Sequence, residues 1–140
     1  MTTSRIIYQN ESGGVSVIVP TGSVELALKD VPEGVPYEIV SINDIPSDRF
    51  FRNAWIADGA AVAVDLGKAK DIGHNIRRTM RAEEFQPFDD IIAKQIPGAD
   101  ALAAEVSRQE IRDKYAEVQA AINAASDPDA IKLALEANQP

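Results

Sequence analysis

Among its 140 residues the chain has no cysteine, one histidine and one tryptophan. The missing thiols exclude disulfides, thiolate metal sites, iron–sulfur clusters and a cysteine nucleophile. A single histidine excludes histidine-rich metal centres. No apolar run reaches the roughly 18 residues of a membrane-spanning helix. The opening MTTSRIIYQ lacks the charged region and apolar core of a signal peptide, so the expectation is a protein that is not secreted. Excess positive charge is missing too. Lys and Arg number 14 against 22 Asp and Glu, a net charge of −8. That balance opposes generic nucleic-acid binding, which wants a basic surface. It leaves acidic mimicry of nucleic acid open. Residues 1–64 carry four basic and eight acidic side chains and residues 65–140 carry ten and fourteen, so each part is −4 and no acidic tail stands out. There is no internal repeat and no low-complexity segment.

Two modules are legible, residues 1–60 and 61–140. In the first, residues 5–9 and 15–19 are β-rich runs around the turn cluster Asn10-Glu-Ser-Gly-Gly14, which predicts a hairpin with a five-residue loop. Val15, Val17 and Val19 share one face by alternation. Ser23 caps a short helix over residues 24–29. Residues 37–42 form a strand with apolar residues on both faces, which reads as central. Residues 43–48 have turn chemistry. Residues 50–56 read as a fourth strand or a short helix, with the strand favoured.

The second module is helical. Asp65 caps a helix over residues 66–84, where Leu66, Ala69, Ile72, Ile76 and Met80 form one stripe. Gly67 and Gly73 weaken it by about 1 kcal/mol each relative to Ala. Phe85, Phe88, Ile91, Ile92 and Ile96 continue an apolar face, with Pro87 as a kink or a new start. After the break at Pro97-Gly98, a helix over residues 99–125 carries the seam Ile111, Tyr115, Val118, Ile122 and Ala125. Asp127-Pro128 opens a last helix. The fold class is α+β: a small antiparallel or mixed sheet of three to four strands with one short helix, then a helical hairpin and a short last helix.

The chemistry-bearing residues are sparse. His74 has Asp71 three residues away, but no Gly-x-Ser-x-Gly elbow supplies a nucleophile, and it reads as a histidine on a polar helix face. Residues 59–68 fail the spacing of a phosphate loop, and Lys68 is followed by Ala69. Asp89 and Asp90 lack the loop spacing of a cation site. The one basic cluster, Lys68, Lys70, Arg77, Arg78 and Arg81, either pairs with helix acids such as Glu105, Glu110 and Asp113 or binds an anion at Arg77, Arg78 and Arg81. "IPSDRFFRNAW", residues 45–55, joins the modules. Arg49 and Arg52 are left there for local acids or for a partner.

The order "RIIYQNESGGVSVIVPTG", "KDVPEGVPYEIV", "IPSDRFFRNAW", "DLGKAKDIGHNIRRTMRAEEF" and "IRDKYAEVQAAINAASDPDAIKLAL" resembles small proteins of tailed phages and prophages, whose genes lie near tail-fibre and other tail genes. The resemblance covers nearly the whole chain and carries no catalytic signature. It implies a tail-associated structural or tail-fibre attachment and assembly protein, located in the virion tail or in the host cytoplasm during assembly. The expected partners are other tail or fibre proteins and further copies of the chain, with neither nucleic acid nor membrane. No enzyme activity, cofactor or metal is expected. Interfaces favour aromatic and arginine anchors. We therefore expect docking through Phe50, Phe51, Arg52 and Trp55, and helix association through Ile111, Tyr115, Val118 and Ile122. The alternative is an early phage protein that blocks host defence, by acidic mimicry or by sequestering an anionic small molecule.

Overall fold

A computed structural model describes residues 3–138. The fold is α+β: a small antiparallel sheet of three strands with a short helix, then two long helices and a short final one. The chain divides into two compact units, Met1–Ala69 and Lys70–Pro140. The division falls later than residue 60 because a strand at Ala61–Val64 pairs with Trp55–Asp58 and so belongs to the first unit.

In the N-terminal unit, β1 (Ser4–Gln9) and β2 (Val15–Ile18) form the expected hairpin. Its loop is fastened by one side chain. Asn10 Oδ1 accepts from the backbone N–H of Ser12 (3.1 Å) and of Gly14 (3.0 Å), and from the Ser12 hydroxyl (2.6 Å). Gly13 takes φ +85°, a conformation that disfavours any side chain. Ser23 Oγ caps α1 (Val24–Ala27) through the N–H of Leu26, and a 3₁₀ turn, Leu28–Asp30, follows.

β3 (Tyr37–Ser41) pairs with β1, so the sheet order is β2-β1-β3. This corrects the reading of residues 37–42 as a central strand. β1 is central and β3 lies at an edge, with Tyr37 and Ile39 45% and 50% exposed. Apolar residues on both faces signalled burial on one face and exposure on the other.

Residues 50–54 are not a strand. The Asp48 carboxylate accepts from the Phe50 N–H (2.9 Å), and Arg52–Ala54 winds as a 3₁₀ turn. This coil buries Phe51, Ala54 and Trp55, spaced three and one apart, and turns Phe50, Arg52 and Asn53 outward. Alternation would have placed Phe50 with Ala54. Only then does β4 (Trp55–Asp58) begin, paired with β5 (Ala61–Val64) around Gly59 at φ +59°. Ile7, Val40, Trp55 and Val62 form the core on one sheet face, with Val15, Val17, Ile45 and Val64 packed against it.

The Asp65 carboxylate accepts from the Lys68 N–H (2.9 Å) and caps α2 (Leu66–Ala93). This helix runs past residue 84 and through Pro87, which cannot donate to the carbonyl of Glu83. α3 (Ala99–Ala124) returns antiparallel to it. His74, Glu84 and Asp89 meet Asn123, Lys114 and Arg108 in turn, so partners recede along α3 as α2 advances. Asp127 caps α4 (Pro128–Glu136) through the N–H of Ala130 (2.8 Å), as its Asp-Pro start predicted.

Gly73 changes meaning in this unit. A Cβ there would lie 2.7 Å from Ile131 Cγ2 and 3.6 Å from Ile122. The residue that weakens helix propensity is the one that lets α4 approach α2.

Candidate functional site

The alternation of β1 sends Arg5 to the same sheet face as Ile7, opposite Val40, while Val17 stands opposite Ile7 on β2. The turn over residues 42–48 and the coil over residues 49–54 rise beside this face. Between them lies a cleft of about 1030 Å³. Its apolar wall is Val15, Val17, Val19, Ile42 and Ile45, with the ring of Trp55. Its polar groups are the guanidiniums of Arg5, Arg49 and Arg52, with Asn43, Ser47 and Asn53.

Among the described residues, no carboxylate lines the cleft. The first 69 residues contain five basic and nine acidic side chains, so three of the five bases and none of the nine acids converge here. Arg49 sits 5.8 Å from the centre of the Trp55 ring, within the reach of a cation–π contact. Arg5 donates to the Ser4 carbonyl (2.9 Å). Arg49 and Arg52 are both exposed. The Trp55 indole N–H is buried without an acceptor among the described residues.

The docking residues expected from "FFRNAW" separate here. Phe51 and Trp55 are each only 4% exposed, so they anchor the fold rather than await a partner. Phe50 is 43% exposed and packs edge-on against Phe51, centroids 4.7 Å apart. It and Arg52 remain on the surface.

The seam expected to associate with other chains is also internal. Ile111, Tyr115, Val118 and Ile122 are all buried within the chain's own fold, alongside Ile131 and Leu135 of α4. Spacing alone shows an apolar stripe but not what covers it, and here α4 joins the helices that do.

Arg77, Arg78 and Arg81 do not converge. Arg77 is 4% exposed and donates from Nε to His74 Nδ1 (3.3 Å). Burial, then the charges of Arg78 and Arg81, hold its pKa below the ordinary arginine value. Arg78 donates to Asn75 (2.9 Å), and Arg81 lies over Phe85. His74 does not pair with Asp71. With Nδ1 accepting from Arg77, Nε2 carries the proton and donates to Asn123 Oδ1 (2.8 Å). A ring held at both nitrogens ties α2 to α3.

A second network lies between α2 and α3. Lys114 Nζ donates to Glu84 Oε1 (2.6 Å) and sits 4.8 Å from the Tyr115 ring. Burial works against ionisation of Glu84, but Lys114 and the Tyr115 hydroxyl outweigh it and hold the carboxyl below its ordinary pKa. The Tyr115 hydroxyl faces this carboxylate without a well-formed hydrogen bond. Its pKa is raised, first by burial and then by Glu84.

Arg5 is the cleft residue that sequence reasoning missed. The signal was present in the Arg5–Ile7 alternation, but only the pairing of β1 with β2 shows which face its neighbours share. The chain matches no family model, and neither curated proteins nor solved structures give a match.

Proposed function

We propose that this is a non-catalytic, tail-associated protein of a tailed phage, structural or acting in tail-fibre attachment and assembly through protein–protein contacts. Its place would be the virion tail, or the host cytoplasm during assembly. The resemblance of the five quoted segments supports this reading. The observation that carries it is the exposed apolar edge of the N-terminal sheet, Tyr37 and Ile39 on β3 followed by Ile42. An unpaired strand edge with apolar side chains is a template for another chain unless it is blocked, and on β3 the one charge is Glu38, with Pro36 just before the strand. A homo-oligomer or a tail component would cover it.

The test mixes the purified protein with intact tails and with fibre protein, and measures the protein in purified particles by mass spectrometry. Co-sedimentation with either component is the expected result. Failure to bind both, together with absence from the particles, overturns the proposal.

The alternative, an early inhibitor of host defence that sequesters an anionic small molecule, keeps its chemistry but changes its residues. Arg77 is buried against His74 and Arg78 is engaged by Asn75, whereas Arg5, Arg49 and Arg52 line one cleft. Expression timing separates the readings: a tail protein appears late in infection and a defence blocker early.

A further inference from the structure

We infer that the cleft of the N-terminal unit binds a small organic anion, a carboxylate or phosphate carried on an apolar body. The inference stands on the cleft alone and holds whether or not the protein joins a tail. Three features converge on it. The first is charge. In a chain of net charge −8, this recess is lined by three arginines and, among the described residues, by no carboxylate. Guanidinium groups are donors only and match the paired oxygens of carboxylate and phosphate. Gathering three of them raises the local potential that draws an anion in.

The second feature is the wall. Val15, Val17 and Ile45 are only partly buried by the core, and with the exposed Val19 and Ile42 they offer apolar surface beside the arginines. An inorganic ion would leave that surface wet, whereas an attached hydrocarbon or aromatic group would cover it. The third is size. At about 1030 Å³ the cleft lies just above the range of roughly 300–1,000 Å³ typical of small-molecule sites, so it has room for such a ligand. Small-molecule sites pair apolar lining with placed polar groups, and this cleft carries the two in about equal measure, which suits a ligand with a charged end and an apolar body.

Trp55 is the only tryptophan, so its fluorescence reports the cleft directly. The full-length protein is titrated with dodecanoate and 1-naphthyl phosphate, with their neutral counterparts dodecanol and 1-naphthol, with inorganic phosphate, and with an Asp/Glu-rich peptide. Calorimetry and Trp55 emission are the readouts. The expected result is that dodecanoate or 1-naphthyl phosphate binds at least tenfold tighter than its neutral counterpart and than inorganic phosphate, and shifts Trp55 emission. Which of the two binds distinguishes a fatty carboxylate from an aryl phosphate.

An Arg49→Gln/Arg52→Gln variant should lose at least tenfold in affinity. Ser47→Asp, which adds a carboxylate to the rim and leaves the arginines in place, should do the same. Both change exposed residues, and unchanged thermal unfolding confirms that they fold. Equal binding of the neutral compounds overturns the proposal. So does full affinity in both variants, binding of neither anion, or binding of the acidic peptide in place of both.

Discussion

Each unit buries a core and leaves apolar side chains exposed, but the two arrange their charges in different ways. The N-terminal unit closes a small core and leaves Val19, Leu26, Tyr37, Ile39, Ile42 and Phe50 exposed. The C-terminal unit turns its long seam inward, from Ile111 through Ile122 to Leu135, and leaves Ile96, Leu102, Val106 and Leu133 exposed. Three of its basic side chains are held in ion pairs within it. Arg108 meets Asp89 and Glu105, Arg112 meets Glu105, and Lys114 meets Glu84. Even its cavity of about 510 Å³ has the opposite sign to the N-terminal cleft, with Glu83, Glu84 and Glu110 around Lys114. The contrast separates a unit with ion pairs between its two long helices from a unit that gathers arginines around a cleft. Substitutions in the first should therefore cost stability, and substitutions in the second should cost binding.

The hardest test of that division is Ile131, fully buried beneath Gly73. Ile131→Ala should destabilise the protein by about 2–5 kcal/mol, the usual cost of removing a buried aliphatic side chain. Gly73→Ala gains about 1 kcal/mol of helix propensity. The new methyl must nevertheless enter space only 2.7 Å from Ile131 Cγ2, and overpacking typically costs about 1–3 kcal/mol. We expect net destabilisation. The double variant should cost less than the sum, because alanine at 131 vacates the space that the new methyl needs. Urea unfolding measures all three. Strict additivity would show that the two residues do not share the contact.

Tyr115 sharpens the comparison through pH. Its folded pKa is raised, so the folded state holds the phenol proton more tightly than the unfolded chain does. The contribution is fully present below the ordinary tyrosine value of about 10 and is lost as pH rises above it, by up to about 1.4 kcal/mol per pH unit. Tyr115→Phe should remove that alkaline slope. Glu84 works at the other end. Its folded pKa is lowered, so its contribution is present above the ordinary carboxylate range and is lost as pH falls through the folded value. Lys114→Met should flatten that acid limb. Unfolding midpoints from acid to alkaline pH check both signs.

The sequence disclosed local structure better than it disclosed surroundings. Asn10, Ser23, Asp65 and Asp127 were readable because each side chain bonds to backbone within four residues, a relation that is complete in the local string. Asp127→Ala, which deletes one such cap, should cost about 1 kcal/mol. What failed depended on neighbours distant in sequence. The buried seam gave no sign of α4 as its cover, and β3 gave no sign that it lies at an edge. Gly73 looked like a flaw because Ile131 is 58 positions away. The coil at "DRFFRNAW" was misread for a local reason: aromatics favour strands, but the Asp48 turn and the 3₁₀ winding set the spacing instead. The cleft was half visible. Arg49, Arg52 and Trp55 stood together in one string, whereas Arg5 and the β2 valines joined them only through strand pairing.

The smallest stability change should come from the surface on which the proposed function rests. Tyr37→Thr/Ile39→Thr keeps β-compatible residues on β3 and removes its exposed apolar groups. Exposed positions away from special features usually change stability by no more than about 0.5 kcal/mol each. The double variant should therefore unfold within about 1 kcal/mol of the parent. It should also fail to co-sediment with whichever tail component, or further copy of the chain, the parent binds. A large stability loss would show that these side chains serve the fold as Ile131 does, and the contrast between the units would fail at that edge. Unaltered stability with unaltered binding would leave the N-terminal core distinct from its surface but would move the contact elsewhere, toward Phe50 and Val19 on the rest of that unit.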